Sequence, residues 1–172
     1  DNITNSAVVV SGGTTNLNNC TWTQCGRVVL AEDHWNNVGH VTFNGGSASA
    51  VHPRGQQAFA LSGFYMTVNN FSTTGYACVF TRDWESGNNI STFEANDCQF
   101  TGVYDRTITS YINGAKISYA TFNQCLMEGR ADSSADIVVV DGRSNGDGAH
   151  ITLNGCTVRY LNTSGGSGVA CF

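Results

Sequence analysis

The sequence predicts an all-β chain wound as a single parallel β-helix of about six coils with three short strands per coil. Three observations predict it. An eight-residue pattern (apolar, any, apolar, Asn, any, small or apolar, any, apolar) recurs six times along the 172 residues. A short apolar run separates successive copies. Gly, Asn, Ser and Thr make up roughly two fifths of the chain, which is rich in turn formers yet keeps aliphatic and aromatic residues spread evenly through it. No segment sustains the 3.6-residue period of an amphipathic helix.

The elements follow in order. AVVV (7–10) leads into TNLNNCTW (15–22), VVL (28–30) into VTFNGGSA (41–48), and FAL (59–61) into MTVNNFST (66–73). ACVF (77–80) leads into FEANDCQF (93–100), SYI (110–112) into ATFNQCLM (120–127), and IVVV (137–140) into ITLNGCTV (151–158), with VACF (169–172) last. Each eight-residue segment reads as two period-2 strands meeting at a sharp bend, and each apolar run as a third strand. The fourth position is Asn in every copy: Asn18, Asn44, Asn69, Asn96, Asn123 and Asn154, separated by 26, 25, 27, 27 and 31 residues. That period is too long for a hexapeptide solenoid. At one strand spacing per coil the rod is about 30 Å long.

A bend of one or two residues needs positive φ, which Asn tolerates better than other residues with a side chain. Asn side chains stacked at one position can also hydrogen-bond along a ladder. Asn18→Ala is therefore expected to destabilise the bend, and Asn19→Ala, on an outward residue, to be nearly silent. Two positions after each ladder residue come Cys20, Gly46, Phe71, Cys98, Cys125 and Cys156, where a small soft group suits an inward corner. The seven cysteines are an odd number in a domain large enough to do without staples, so buried free thiols are expected; Cys25, outside the repeat position, has no assigned role. No Cys/His cluster has zinc-ligand spacing, and DGRSNGD (141–147) lacks the spacing of a Ca²⁺ loop. Neither metal nor cofactor is expected.

The six Asn-bearing segments, spanning nearly the whole chain, resemble the right-handed parallel β-helices of the pectin-lyase-like superfamily, which includes polysaccharide lyases, glycoside hydrolases and bacteriophage tailspikes. The resemblance implies a scaffold far more than a chemistry. No local match to the Ca²⁺-binding acids of pectate lyases is present. Nor do acids align at one repeat position, as the active-site acids of polygalacturonase-like hydrolases would suggest.

The formal net charge is −5, Lys116 is the only lysine, and the arginines are scattered, which argues against nucleic acid. No apolar run has the length of a membrane span and no signal peptide opens the chain, so membrane insertion is not expected. A start at Asp1 suggests a piece of a longer protein. With no amphipathic cap at either end, the coils call for a cover: a homo-oligomer such as a trimer, or stacked neighbouring domains.

The turns from the third strand into the next Asn segment are minimal at Ser62-Gly63 and Asn113-Gly114. They are long at Glu32 to Gly39, Arg82 to Asn89 and Asp141 to Gly148. Such insertions map to one face, often a binding face. Trp35 and Trp84 beside Glu32, Arg82, Asp141 and Arg143 suit contact with a sugar ring, which offers a flank for stacking and hydroxyls for polar groups. Asp33, Asp83 and Glu85 are the candidate catalytic carboxylates should a glycosidic bond be cleaved. His34, His40, His52 and His150 read as surface residues. Arg27, Arg54, Arg106, Arg130 and Arg159 fall near a second edge, where Asp105, Glu128 or Asp132 are partners of opposite charge. The expectation is a structural and recognition module of a virion appendage, tailspike, fibre or decoration protein, at a virion surface or otherwise extracellular, touching a cell-surface carbohydrate. A polysaccharide depolymerase and a secreted adhesin passenger segment are the alternatives.

Overall fold

A computed structural model of the protein describes residues 6–32, 39–50, 57–76, 78–82, 91–103, 106–111, 118–130, 138–141 and 149–161. Among them every regular element is a strand, and the strands form a parallel β-solenoid. The apolar runs give β1 (Ser6–Val10), β3 (Arg27–Glu32), β5 (Gln57–Ser62), β7 (Cys78–Arg82), β10 (Arg106–Tyr111) and β13 (Val138–Asp141), stacked in that order as one parallel sheet. The run at 169–172 lies outside the described residues.

The Asn-bearing segments form the second sheet. In β2 (Thr14–Cys25), β4 (Gly39–Ala50) and β6 (Phe64–Thr74) a single strand passes through the bend. Further along, the bend divides each pair: β8 (Ser91–Asn96) from β9 (Gln99–Val103), β11 (Ser118–Asn123) from β12 (Leu126–Arg130), and β14 (Ala149–Asn154) from β15 (Thr157–Leu161). Each strand pairs with the same repeat segment of its neighbour, so equal repeat positions stack in rows. Asn18 opposes Asn44, Asn44 opposes Asn69, Asn69 opposes Asn96, Asn96 opposes Asn123, and Asn123 opposes Asn154.

The six side chains form a continuous rail. Each Nδ2 donates to the Oδ1 of the preceding asparagine: Asn44 to Asn18 at 3.0 Å, Asn69 to Asn44 at 3.0 Å, Asn96 to Asn69 at 2.9 Å, Asn123 to Asn96 at 2.8 Å and Asn154 to Asn123 at 2.8 Å. One amide supplies both a donor and an acceptor, and only such a group can pass a bond along a row of identical neighbours.

The bend itself is placed one residue later than the ladder asparagines. Positive φ falls on Asn19 (51°), Gly45 (70°), Asn70 (51°), Asp97 (54°), Gln124 (55°) and Gly155 (60°), each directly after a rail residue. The turning residue therefore carries the left-handed conformation while the rail asparagine stays extended and in register. Asn19 is thus a constrained position, which overturns the expectation that it tolerates alanine. Where the bend divides the strands, N–H groups still reach across coils, Asp97 to the Asn123 carbonyl at 3.0 Å and Gln124 to the Asn154 carbonyl at 2.8 Å.

Inward positions fill the interior with aromatic rings. Phe43, Phe59, Phe64, Phe71, Phe93, Phe100 and Phe122 are all buried. Phe43 meets Phe59 and Phe71 at 5.6 and 5.4 Å, Phe59 meets Phe93 at 5.5 Å, and Phe93 meets Phe122 at 5.4 Å between centroids, mostly in the edge-on or tilted geometries that rings favour. Gly46 is required where it stands: at φ 114°, a Cβ would lie 2.1 Å from the Cys20 carbonyl oxygen. The rows that are sealed in the middle open at both ends of the described stack. Leu17, Trp22 and Val8 in the first coil, and Ile151, Cys156 and Val158 in the last, are only partly covered.

Candidate functional site

The strands β3, β7 and β13 end on Glu32, Arg82 and Asp141, the residues from which the three long connections leave. Register places those ends on one edge of the first sheet, since Val10, Ala31, Leu61 and Arg82 are successive partners, Glu32 faces Ser62, and Tyr111 faces Asp141. Asp33, Trp35, Asp83, Trp84, Glu85 and Arg143 lie outside the described residues, as do the turn at Asn113-Gly114, His34, His52, Arg54, Asp105 and Asp132. The other short turn, at Gly63, is held by its N–H donating to the Ser91 hydroxyl at 2.9 Å.

A second surface was not singled out from the sequence. On the first limb of the second sheet, side chains alternate inward and outward, so the residue four places before each rail asparagine points to solvent. That row reads Thr14, His40, Tyr65, Thr92, Tyr119 and His150, each the partner of the next. His40 lies flat on Tyr65 with centroids 5.1 Å apart and planes 10° apart, and Tyr119 lies flat on His150 at 5.0 Å and 13°. Tyr65 and Tyr119 are among the few large hydrophobic side chains that stay exposed, at 41% and 38%. The parallel row two places on reads Asn16, Thr42, Thr67, Glu94, Thr121 and Thr152. Glu94 is exposed there and accepts a long bond, 3.5 Å, from Asn123 Nδ2. The repeat alignment already held this signal, because these aromatic residues share one offset from the rail. Reading each histidine singly hid the row.

The thiols have structural partners. Cys98, Cys125 and Cys156 each lie within hydrogen-bonding distance of their own rail asparagine's carbonyl, at 3.2, 3.3 and 3.7 Å. Each also reaches a carbonyl in the preceding coil, of Val68, Ala95 and Phe122, at 3.3, 3.4 and 3.2 Å. A weak S–H donor thus adds a contact to carbonyls at the bend and in the preceding coil. The neighbouring Cys98 thiol, together with burial, pushes the Cys125 thiol far above its ordinary value, and burial raises Cys156. Cys25, the position with no role in the sequence reading, meets the buried Tyr76 hydroxyl at 2.7 Å, and burial with this contact raises the Tyr76 phenol. Cys20, Cys25, Cys98, Cys125 and Cys156 are free thiols. Cys20 is only half-buried, because its row ends there.

Among the described residues, opposite charges meet on the second limb. Arg159 donates through Nε to Glu128 Oε2 at 2.8 Å, with a second guanidinium nitrogen at 2.6 Å, so the nearly buried carboxylate is neutralised by a partner one coil away. Among the described residues no group of three or more His, Cys, Asp or Glu side chains is placed to hold a metal ion. No helix among them is long and apolar enough to cross a membrane. No protein-family model, curated protein or solved structure matches the chain.

Proposed function

We propose that the chain is a structural and recognition module of a virion appendage, a right-handed parallel β-helix of six coils resembling the pectin-lyase-like type. It works as part of a homo-oligomer, a trimer, at a virion surface or in another extracellular setting, and contacts a cell-surface glycan. Right-handedness follows the near-universal hand of crossovers between parallel strands of one sheet. One observation carries the assembly half of this reading: inward rows that are sealed in the middle of the stack stand open in its first and last coils. Uncovered apolar cross-sections and unpaired strand edges favour a cover, from chain beyond the described residues, another domain or a neighbouring copy. The low charge and the outward rows of Thr, Asn, His and Tyr suit a neutral, hydroxyl-rich partner.

Sedimentation of the full chain at micromolar concentration tests the assembly; a stable monomer contradicts the trimeric reading. Incubation with a panel of bacterial surface polysaccharides tests the glycan. Retention without shortening supports recognition. Cleavage that is lost in Asp83→Asn or Glu85→Gln would make the chain a depolymerase instead.

A further inference from the structure

The row Thr14, His40, Tyr65, Thr92, Tyr119, His150 has an internal symmetry. His40 covers the face of Tyr65 that looks toward the first coil, and His150 covers the face of Tyr119 that looks toward the last. The two uncovered faces therefore look at each other across the single coil that carries Thr92, whose side chain is shorter than either ring. Two strand spacings separate the tyrosines, about 9.6 Å. Contact at 3.5–4.0 Å on each side leaves roughly 1.6–2.6 Å between the outer atoms of a guest. A planar ring has all its atoms in one plane and could touch only one wall. A chair pyranose, thickened by its pucker and an axial substituent, reaches both.

The flank of this slot is polar. Thr67, Glu94 and Thr121 sit side by side one outward step along the same strands, aligned with Tyr65, Thr92 and Tyr119. Two hydroxyls and a carboxylate can exchange hydrogen bonds with sugar hydroxyls, and the Glu94 charge disfavours a uronate. The histidines stacked behind the tyrosines hold the walls flat, so little ordering is needed on binding. We propose that Tyr65, Thr92 and Tyr119 form a saccharide subsite that sandwiches one neutral hexopyranose ring, with Thr67, Glu94 and Thr121 contacting its hydroxyls. This deepens the glycan-contact reading above and rests on it, but it moves the contact from the loop edge to the flat face.

Titration of the full chain, carrying ¹³C-labelled tyrosine and tryptophan rings, with methyl β-glucopyranoside, methyl α-galactopyranoside, methyl β-glucuronide and adenosine tests the subsite. The Tyr65 and Tyr119 ring signals are expected to shift together with a neutral glycoside and more weakly with the glucuronide. Thr92→Phe, which fills the slot, is expected to abolish the shift, whereas Thr157→Val, an exposed position on the other limb, leaves it intact. Tyr119→Leu, removing one wall, weakens binding about tenfold. Shifts at Trp35 or Trp84 with none at the tyrosines overturn the subsite and leave the glycan reading standing. Silence at all four rings overturns the subsite and withdraws support from glycan contact as well. A tyrosine response to adenosine alone assigns the slot to a planar guest, and a response to rising protein concentration without any probe assigns the face to a second copy; either overturns the proposal.

Discussion

Phe122 and Leu153 occupy the same repeat position one coil apart and face each other in register, yet Phe122 is fully buried and Leu153 is 37% exposed. Nothing in their own strands explains the difference, since both lie on the inward side of a limb that ends on a rail asparagine. Neighbours explain it: Phe122 packs on Phe93 and Phe100, with Leu153 on its other side, whereas Leu153 has a described coil on one side only. Burial in a stacked fold is thus a property of place along the stack, and each term should fade toward the ends.

The largest contrast is expected in the core. Phe122→Ala should cost about 3–5 kcal/mol and Leu153→Ala less than about 1.5 kcal/mol, read from denaturant titrations with unchanged m-values. Equal costs would break the comparison between sealed middle and open end.

The glycines give the next test. Gly46→Ala drives a Cβ into the Cys20 backbone and should cost about 3 kcal/mol or more, whereas Gly13→Ala, also at positive φ (75°) but with nothing within 4 Å, should cost about 1 kcal/mol. Similar losses at both would mean that backbone conformation alone decides the outcome.

The rail sharpens the same contrast on the polar side. Asn96→Ala removes two side-chain bonds, one to Asn69 and one from Asn123, and should cost about 2 kcal/mol. Asn18→Ala removes one and should cost about 1 kcal/mol. At the turning row, Gln124→Gly should stabilise by up to about 1 kcal/mol, since glutamine has no side-chain means of favouring positive φ. Asn19→Ala should destabilise by a similar amount. Thermal melts of the two variants together separate the rail from the turn.

The smallest effect is one of pH. Cys156 and Tyr76 are both held protonated by the fold, so their folded-state pKa values lie above the unfolded ones. The stability they contribute is full below the unfolded thiol pKa, about 8.5, and declines as pH rises beyond it. Melting temperature should therefore fall above about pH 9, and less steeply in Cys156→Ser. A flat profile would contradict the burial of these groups.

The scaffold was legible in the sequence because it is repetitive. Six asparagines at a steady spacing fix the register of every limb, and the apolar runs between them fix the first sheet. The exact turning residue was not legible, because Asn-Asn at 18–19 and 69–70 suits either placement and only the Gly at 45 and 155 hints at the second. The role of Cys25 was hidden because its partner, Tyr76, lies 51 residues away and outside the aligned segments. Of the pairing suggested for the arginines, Arg159 with Glu128 is present, one coil apart. The Tyr65 and Tyr119 row escaped notice because its members alternate among Thr, His and Tyr. Stacking alone makes such a row a surface, and composition at one position does not announce it.

The most direct test of the rail is hydrogen exchange of the asparagine side-chain amides, followed by NMR in the intact chain. Slow exchange is expected at Asn69, Asn96 and Asn123, intermediate rates at Asn44 and Asn154, and near-free rates at Asn18, whose Nδ2 donates to no other rail asparagine. Uniformly fast exchange at all six would contradict a continuous hydrogen-bonded rail that sets the register of the solenoid.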